Sequence, residues 1–165
     1  MRVEVKMQGL NGVMETLKAL PPEVVSRRGG PVKSALRKGA RVIFQQAKQN
    51  LYIVTNNATD AGKRYSTGLL LKNLIVTRGK KPIGTRGERY LVRVRRKSYQ
   101  RKGQSFTTLG TANLLEYGSV KQKMEPWIRP AFQAKAAAAI RVTEEELIKQ
   151  LNKVIKKLSQ LNKGK

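Results

Sequence analysis

The sequence predicts an α+β fold in which a small, mostly antiparallel sheet packs against a long central helix and a long C-terminal helix. Three patterns carry that expectation. Between Val32 and Leu51 the apolar positions Leu36, Ala40, Ile43, Phe44, Ala47 and Leu51 form one stripe at helical spacing. Between Glu88 and Arg96 the chain alternates, with Tyr90, Val92 and Val94 on one side and Leu91, Arg93 and Arg95 on the other. From Pro130 onward the pattern is helical without a break. The alanines from Ala136 to Ala139 have the highest intrinsic propensity, and Leu147, Leu151, Val154, Leu158 and Leu161 step by 4, 3, 4 and 3.

Taken in order, Val3, Val5 and Met7 alternate with charged residues and read as a half-buried strand that Gly9 ends. Leu10, Val13, Met14, Leu17 and Leu20 follow helical spacing until Pro21-Pro22 stops them, and Gly29-Gly30 is a break. Pro31 suits the first turn of the central helix, where its missing N–H costs nothing. Gly39 inside that helix costs about 1 kcal/mol relative to alanine, so it implies close packing. The polar residues 52–65 read as a loop, and Ser66-Thr67-Gly68 as a turn or cap before Leu69-Leu70-Leu71 and Leu74. Ile75-Val76-Thr77 opens a strand-rich region, residues 97–108 read as a long hairpin excursion, and residues 111–117 return to apolar character. One domain covering residues 1–165 is the expectation at this length.

Charge is the extreme feature. There are 35 Lys and Arg against 10 Asp and Glu, a formal net charge of +25, which favours a polyanion or an acidic surface as partner. With no Cys there is no disulfide or thiolate chemistry, and with no His the usual proton shuttle and metal ligand is missing. Carboxylate catalysis needs two acids held together, whereas Glu144-Glu145-Glu146 fan around a helix axis. No phosphate-binding glycine loop occurs near Gly79, Gly84 and Gly87. The residues therefore point away from an enzyme, and call for no cofactor and no metal. No apolar run reaches the roughly 18 residues of a membrane span, so no membrane role is expected.

Two stretches remain as candidates. The segment from about 78 to 108 is a basic hairpin excursion, with Arg78, Lys80, Lys81, Arg86, Arg89, Arg93, Arg95, Arg96, Lys97, Arg101 and Lys102 against the single acid Glu88. It suits a nucleic-acid backbone, an acidic protein surface or plain solvation, and no known nucleic-acid motif frames it. A Lys-rich helical end follows at about 149–165. The leucine seam there suits either a coiled coil with another subunit or packing on the same domain. The second stretch is Asn113 to Phe132, whose key residues are Glu116, Tyr117, Gly118, Pro126, Trp127, Arg129, Pro130 and Phe132. Gly118 allows a sharp turn, and Pro126 and Pro130 restrict the chain beside Trp127. Trp127, Ile128 and Phe132 are expected to anchor the helix start to the sheet, and Glu116 to pair with a base such as Arg129.

The order of these residues resembles the tail-completion, or neck, protein family of long-tailed bacteriophages. The resemblance rests on Glu116-Tyr117-Gly118-Ser119, a basic connector, then Pro126-Trp127-Ile128-Arg129-Pro130-Ala131-Phe132 opening a long helix. Gly9-Leu10-Asn11-Gly12-Val13, the leucines and proline of residues 17–21, Ala35 to Ala40, and Thr67-Gly68-Leu69 agree in order. The resemblance implies a virion component at the head–tail junction, made in the host cytoplasm. It would be assembled with copies of itself in a ring around the DNA channel, touching head-completion, tail-terminator or tail-tube proteins. The family brings no catalytic residues. The hairpin of residues 79–108 is longer and more basic than the family's, and the helical end richer in Lys. A ribosomal or nucleoid type of nucleic-acid-binding protein is the alternative.

Overall fold

The computed structural model describes residues 30–56, 68–80 and 88–163. Among these residues eight elements follow one another: α1 (Pro31–Asn56), α2 (Leu69–Asn73), β1 (Leu74–Arg78), β2 (Tyr90–Val94), β3 (Ser98–Arg101), β4 (Gln104–Thr107), α3 (Thr108–Tyr117) and α4 (Ile128–Lys163). The fold is α+β, with α1 packed along α4 and against β1 and β2.

The two long helices run antiparallel, as three contacts at different heights show. Asn50 donates to the Trp127 carbonyl at 3.0 Å, Gly39 faces Ala139 and Thr143, and Ala35 packs with Leu147 and Leu151. Gly39 sits where the two helices are in tight contact. A Cβ there would lie 2.8 Å from the Ala139 carbonyl oxygen and against the Thr143 hydroxyl, so only glycine lets the helices meet this closely. Lys38 closes the same crossing by donating to Glu146, a carboxylate only 6% exposed. Its partners Lys38 and Gln150 hold Glu146 below the usual carboxylate range, against the opposing effect of burial.

The main core gathers one or two residues from each of six elements: Ala47 and Leu51 of α1, Leu70 of α2, Leu74 of β1, Val94 of β2, Ala112 of α3, and Trp127 and Ala131 where α4 begins. A smaller cluster of Ala35, Leu147 and Leu151, flanked by Val32 and Val154, continues along the helix pair. The leucine seam from Leu147 to Val154 therefore packs on its own domain. No described helix is long and apolar enough to cross a membrane.

Several expectations change. Among the described residues the strands form two separate antiparallel ribbons, β1–β2 and β3–β4; the second is the hairpin expected at residues 97–108, while the basic segment from 78 to 108 is shared between the two. In the first ribbon Leu74 lies opposite Val94 and Arg78 opposite Tyr90, so β2 belongs to the core and its alternation is that of a half-buried strand. Leu74 is the first residue of β1 and not a further helical turn. The central helix runs to Asn56 instead of ending at Leu51, because Thr55 bonds back to the Leu51 carbonyl and Val54 still packs on the core. Residues 111–117 are helical. The C-terminal helix starts at Ile128 and continues to Lys163. The strand and helix expected within residues 1–29, the turn at Ser66-Thr67, and Lys81 and Arg86 lie outside the described residues.

Candidate functional site: the joint between α3 and α4 and the basic surfaces

An α-helix begins with N–H groups that have no partner inside the helix, and α4 begins with none of the side chains that usually cap. Its cap comes from α3. The buried Glu116 carboxylate accepts the backbone N–H of Trp127 at 2.8 Å and of Ile128 at 3.0 Å on one oxygen. Its other oxygen accepts the N–H of Arg129 at 3.2 Å and the Arg129 Nε at 2.7 Å. The next residue, Pro130, has no N–H to satisfy. Every donor of the first turn is thus accounted for, and a negative charge stands where the helix dipole favours one.

Burial alone would raise the Glu116 carboxyl, but the N–H groups of Ile128 and Trp127 and the Arg129 guanidinium outweigh it and hold the group below the usual carboxylate range. Arg129 also donates to the Glu116 carbonyl at 2.9 Å and lies 5.0 Å from the centre of the Tyr117 ring. The expected Glu116–Arg129 pair is present, and its larger role is to cap a helix.

The chain between the two helices is forced to double back. Gly118 has φ 74° and ψ −173°, a region essentially reserved for glycine, and a Cβ there would lie 2.9 Å from Gln122 O and Met124 N. Ser119 and Gln122 exchange backbone hydrogen bonds of 2.8 and 3.2 Å around Val120-Lys121, and Glu125 N returns to Leu115 O. Trp127, 2% exposed, then enters the core and directs its indole N–H toward the Ala112 carbonyl at 3.5 Å. Phe132 departs from expectation. It is 42% exposed, since Ala131 occupies the buried position of that turn. Pro126 is exposed as well.

Two residues that sequence reasoning passed over hold the rest of the joint. Thr108, 1% exposed, donates to Arg95 O at 2.6 Å and accepts Lys97 N at 2.9 Å, tying the end of β2 to the start of α3. Asn50 braces the Trp127 carbonyl from α1. The available signals were the Thr107-Thr108 pair, of which Thr107 caps α3 by accepting Gly110 N, and an Asn on the inward side of an apolar helix.

The basic residues are dispersed. Arg78 forms a two-pronged pair with Glu88, both contacts 2.7 Å, and Lys33 stands 3.8 Å from the same carboxylate. Lys80, Arg89, Arg93, Arg95, Arg96 and Lys97 are exposed, Lys102 occupies the β3–β4 turn with φ 47°, and Arg101 is half-buried. Tyr99 and Phe106 among them are engaged internally. Tyr99 stacks on Phe106 with ring centres 5.9 Å apart and shares a 2.7 Å hydrogen bond with Thr111. An open groove of about 740 Å³ runs beside the second half of α1, lined by Gln45, Gln46, Lys48, Gln49, Tyr52, Ile53 and Leu71. Its described lining has amides and one ammonium and no carboxylate. Among the described residues no three acids converge on a point that would hold a metal ion.

No family model, curated protein or solved structure matches the chain.

Proposed function

We infer that the chain is a structural protein of a phage neck, completing the tail and joining it to the head as one of several copies around the DNA channel, with no catalytic role. The reading starts from the order of motifs from Gly9 to Phe132. One structural observation carries it further. Helix α3 turns Ala112 and Leu115 to the core together with the polar Thr108 and Glu116, and leaves Leu109, Leu114 and Tyr117 exposed; the connector adds exposed Val120 and Met124. An apolar surface of this kind on a rigid, capped joint suits a protein that is covered on assembly.

The deciding experiment is electron microscopy of phage particles lacking this chain alone. Filled heads and unattached tails are expected, with joining restored when the chain is supplied. Joined, infectious particles without it contradict the reading.

The exposed Arg93, Arg95, Arg96 and Lys97 favour a second reading, nucleic-acid binding of ribosomal or nucleoid type. That reading requires salt-sensitive binding by the isolated chain that is abolished when Arg93, Arg95 and Arg96 are neutralised.

A further inference from the structure

We propose that the outer face of α1 is a nucleic-acid surface that follows a phosphodiester backbone through Arg37, Arg41 and Lys48. The proposal concerns a different element from the basic ribbon and does not depend on the neck reading.

The 26 residues of α1 contain five cations and no acid. Two of the five are matched by acids from elsewhere, Lys33 by Glu88 and Lys38 by Glu146. Arg37, Arg41 and Lys48 are exposed, and no ion pair engages them among the described residues. At 3.6 residues per turn the three lie within a sector of about 40° and span about 16 Å of helix. This arrangement costs the free helix stability. Arg37 and Arg41 are like charges four residues apart, and the first turn carries a cation where the dipole favours an anion. Glu88 offsets the charge of Lys33 in the first turn, but no described acid stands against the Arg37–Arg41 pair, whereas a row of phosphates would.

The composition of the face selects the partner. From Arg37 to Gln49 its exposed side chains are Arg37, Lys38, Arg41, Gln45, Lys48 and Gln49, with no exposed apolar residue until Tyr52. Protein interfaces are built on an apolar centre in which lysine is depleted. Phosphate contacts are made by Arg, Lys and amide side chains, which is what this face presents.

The test measures binding of the purified full chain to a fluorescent mixed-sequence duplex over a series of salt concentrations. Each phosphate contact contributes about 0.9 to the slope of log affinity against log salt. The triple variant Arg37→Gln, Arg41→Gln, Lys48→Gln is therefore expected to reduce the slope by about 2.7. An equal loss of charge elsewhere, Lys121→Gln, Lys123→Gln, Lys153→Gln, is expected to change it by less than about 1. Circular dichroism checks that both variants fold. Equal effects of the two triples, or no duplex binding by the parent chain, overturn the proposal. Binding to polyglutamate as tight as to duplex at the same salt also overturns it, and assigns the face to an acidic protein.

Discussion

Replacing Glu116 by glutamine keeps the shape of the side chain while removing its charge and one of its two acceptor oxygens. Four donors converge on the carboxylate: the N–H groups of Trp127, Ile128 and Arg129, and the Arg129 Nε. One amide oxygen serves two of them, so whichever way it turns two donors lose their acceptor, either the N–H groups of Trp127 and Ile128 or the N–H and the half-exposed Nε of Arg129. Each orphaned buried donor costs about 1–3 kcal/mol. Loss of a helix cap is worth about 1 kcal/mol in its own right and overlaps with that cost. A total near 3 kcal/mol follows, which lowers a urea midpoint by about 1.5 M if the denaturant slope is about 2 kcal/mol/M. The control is Glu145→Gln, the same chemical change at a side chain 70% exposed whose only ion pair among the described residues is a 3.7 Å contact with Arg141. Its effect should stay within about 0.5 kcal/mol. Equal midpoints for the two variants would refute the capping argument. The pH dependence gives a second reading of the same group. Because the folded Glu116 carboxyl lies below its unfolded value, its contribution is present above the unfolded value of about 4.3 and is lost as pH falls through the folded one. The gap between parent and Glu116→Gln should therefore narrow on acidification below about pH 4.3 and stay constant above about pH 6.

Three further outcomes follow from the geometry. Gly118→Ala should destabilise by about 1–3 kcal/mol in urea unfolding, since it puts a side chain into a glycine-only conformation and against Met124 N. Gly39→Ala should also destabilise, by about 1–3 kcal/mol, although alanine is the better helix former, because the Ala139 carbonyl cannot yield as a flexible side chain would; a more stable variant would mean the helices are not in contact there. Thr108→Val leaves Lys97 N without its side-chain acceptor and should cost about 1–3 kcal/mol, with loss of exchange protection at that amide.

The two long helices were legible because their burial follows apolar spacing. Ala47 and Leu51 of α1 and Leu147 and Leu151 of α4 are buried as the stripes predict. Helix α3 was not legible for the opposite reason. Its inward positions, Thr108, Ala112 and Glu116, include two polar residues held by hydrogen bonds, while two of its leucines face outward, so a reading based on hydrophobicity inverts it. Phe132 misled in the same way, because the small Ala131 fills the buried position beside it. The extent of the joint was legible from Gly118, Trp127 and the lone acid Glu116. That the acid caps a helix starting twelve residues downstream in sequence was not, since capping across a connector leaves no local spacing to read. The charge of the basic ribbon was visible, but the capture of Arg78 by Glu88 depends on strand pairing. The row of Arg37, Arg41 and Lys48 on α1 was not legible, because which cations of a helix are left without an acid depends on partners such as Glu88 and Glu146 from distant elements.

The central claim is a place in a particle, and cryo-electron microscopy of the assembled phage tests it most directly. The account predicts density for several copies between head and tail, each recognisable by the antiparallel α1–α4 pair, with the exposed side chains of Leu114, Tyr117, Val120 and Met124 covered by a neighbour. A neck whose density is fully accounted for by other chains, in a particle from which this chain is absent, would contradict it.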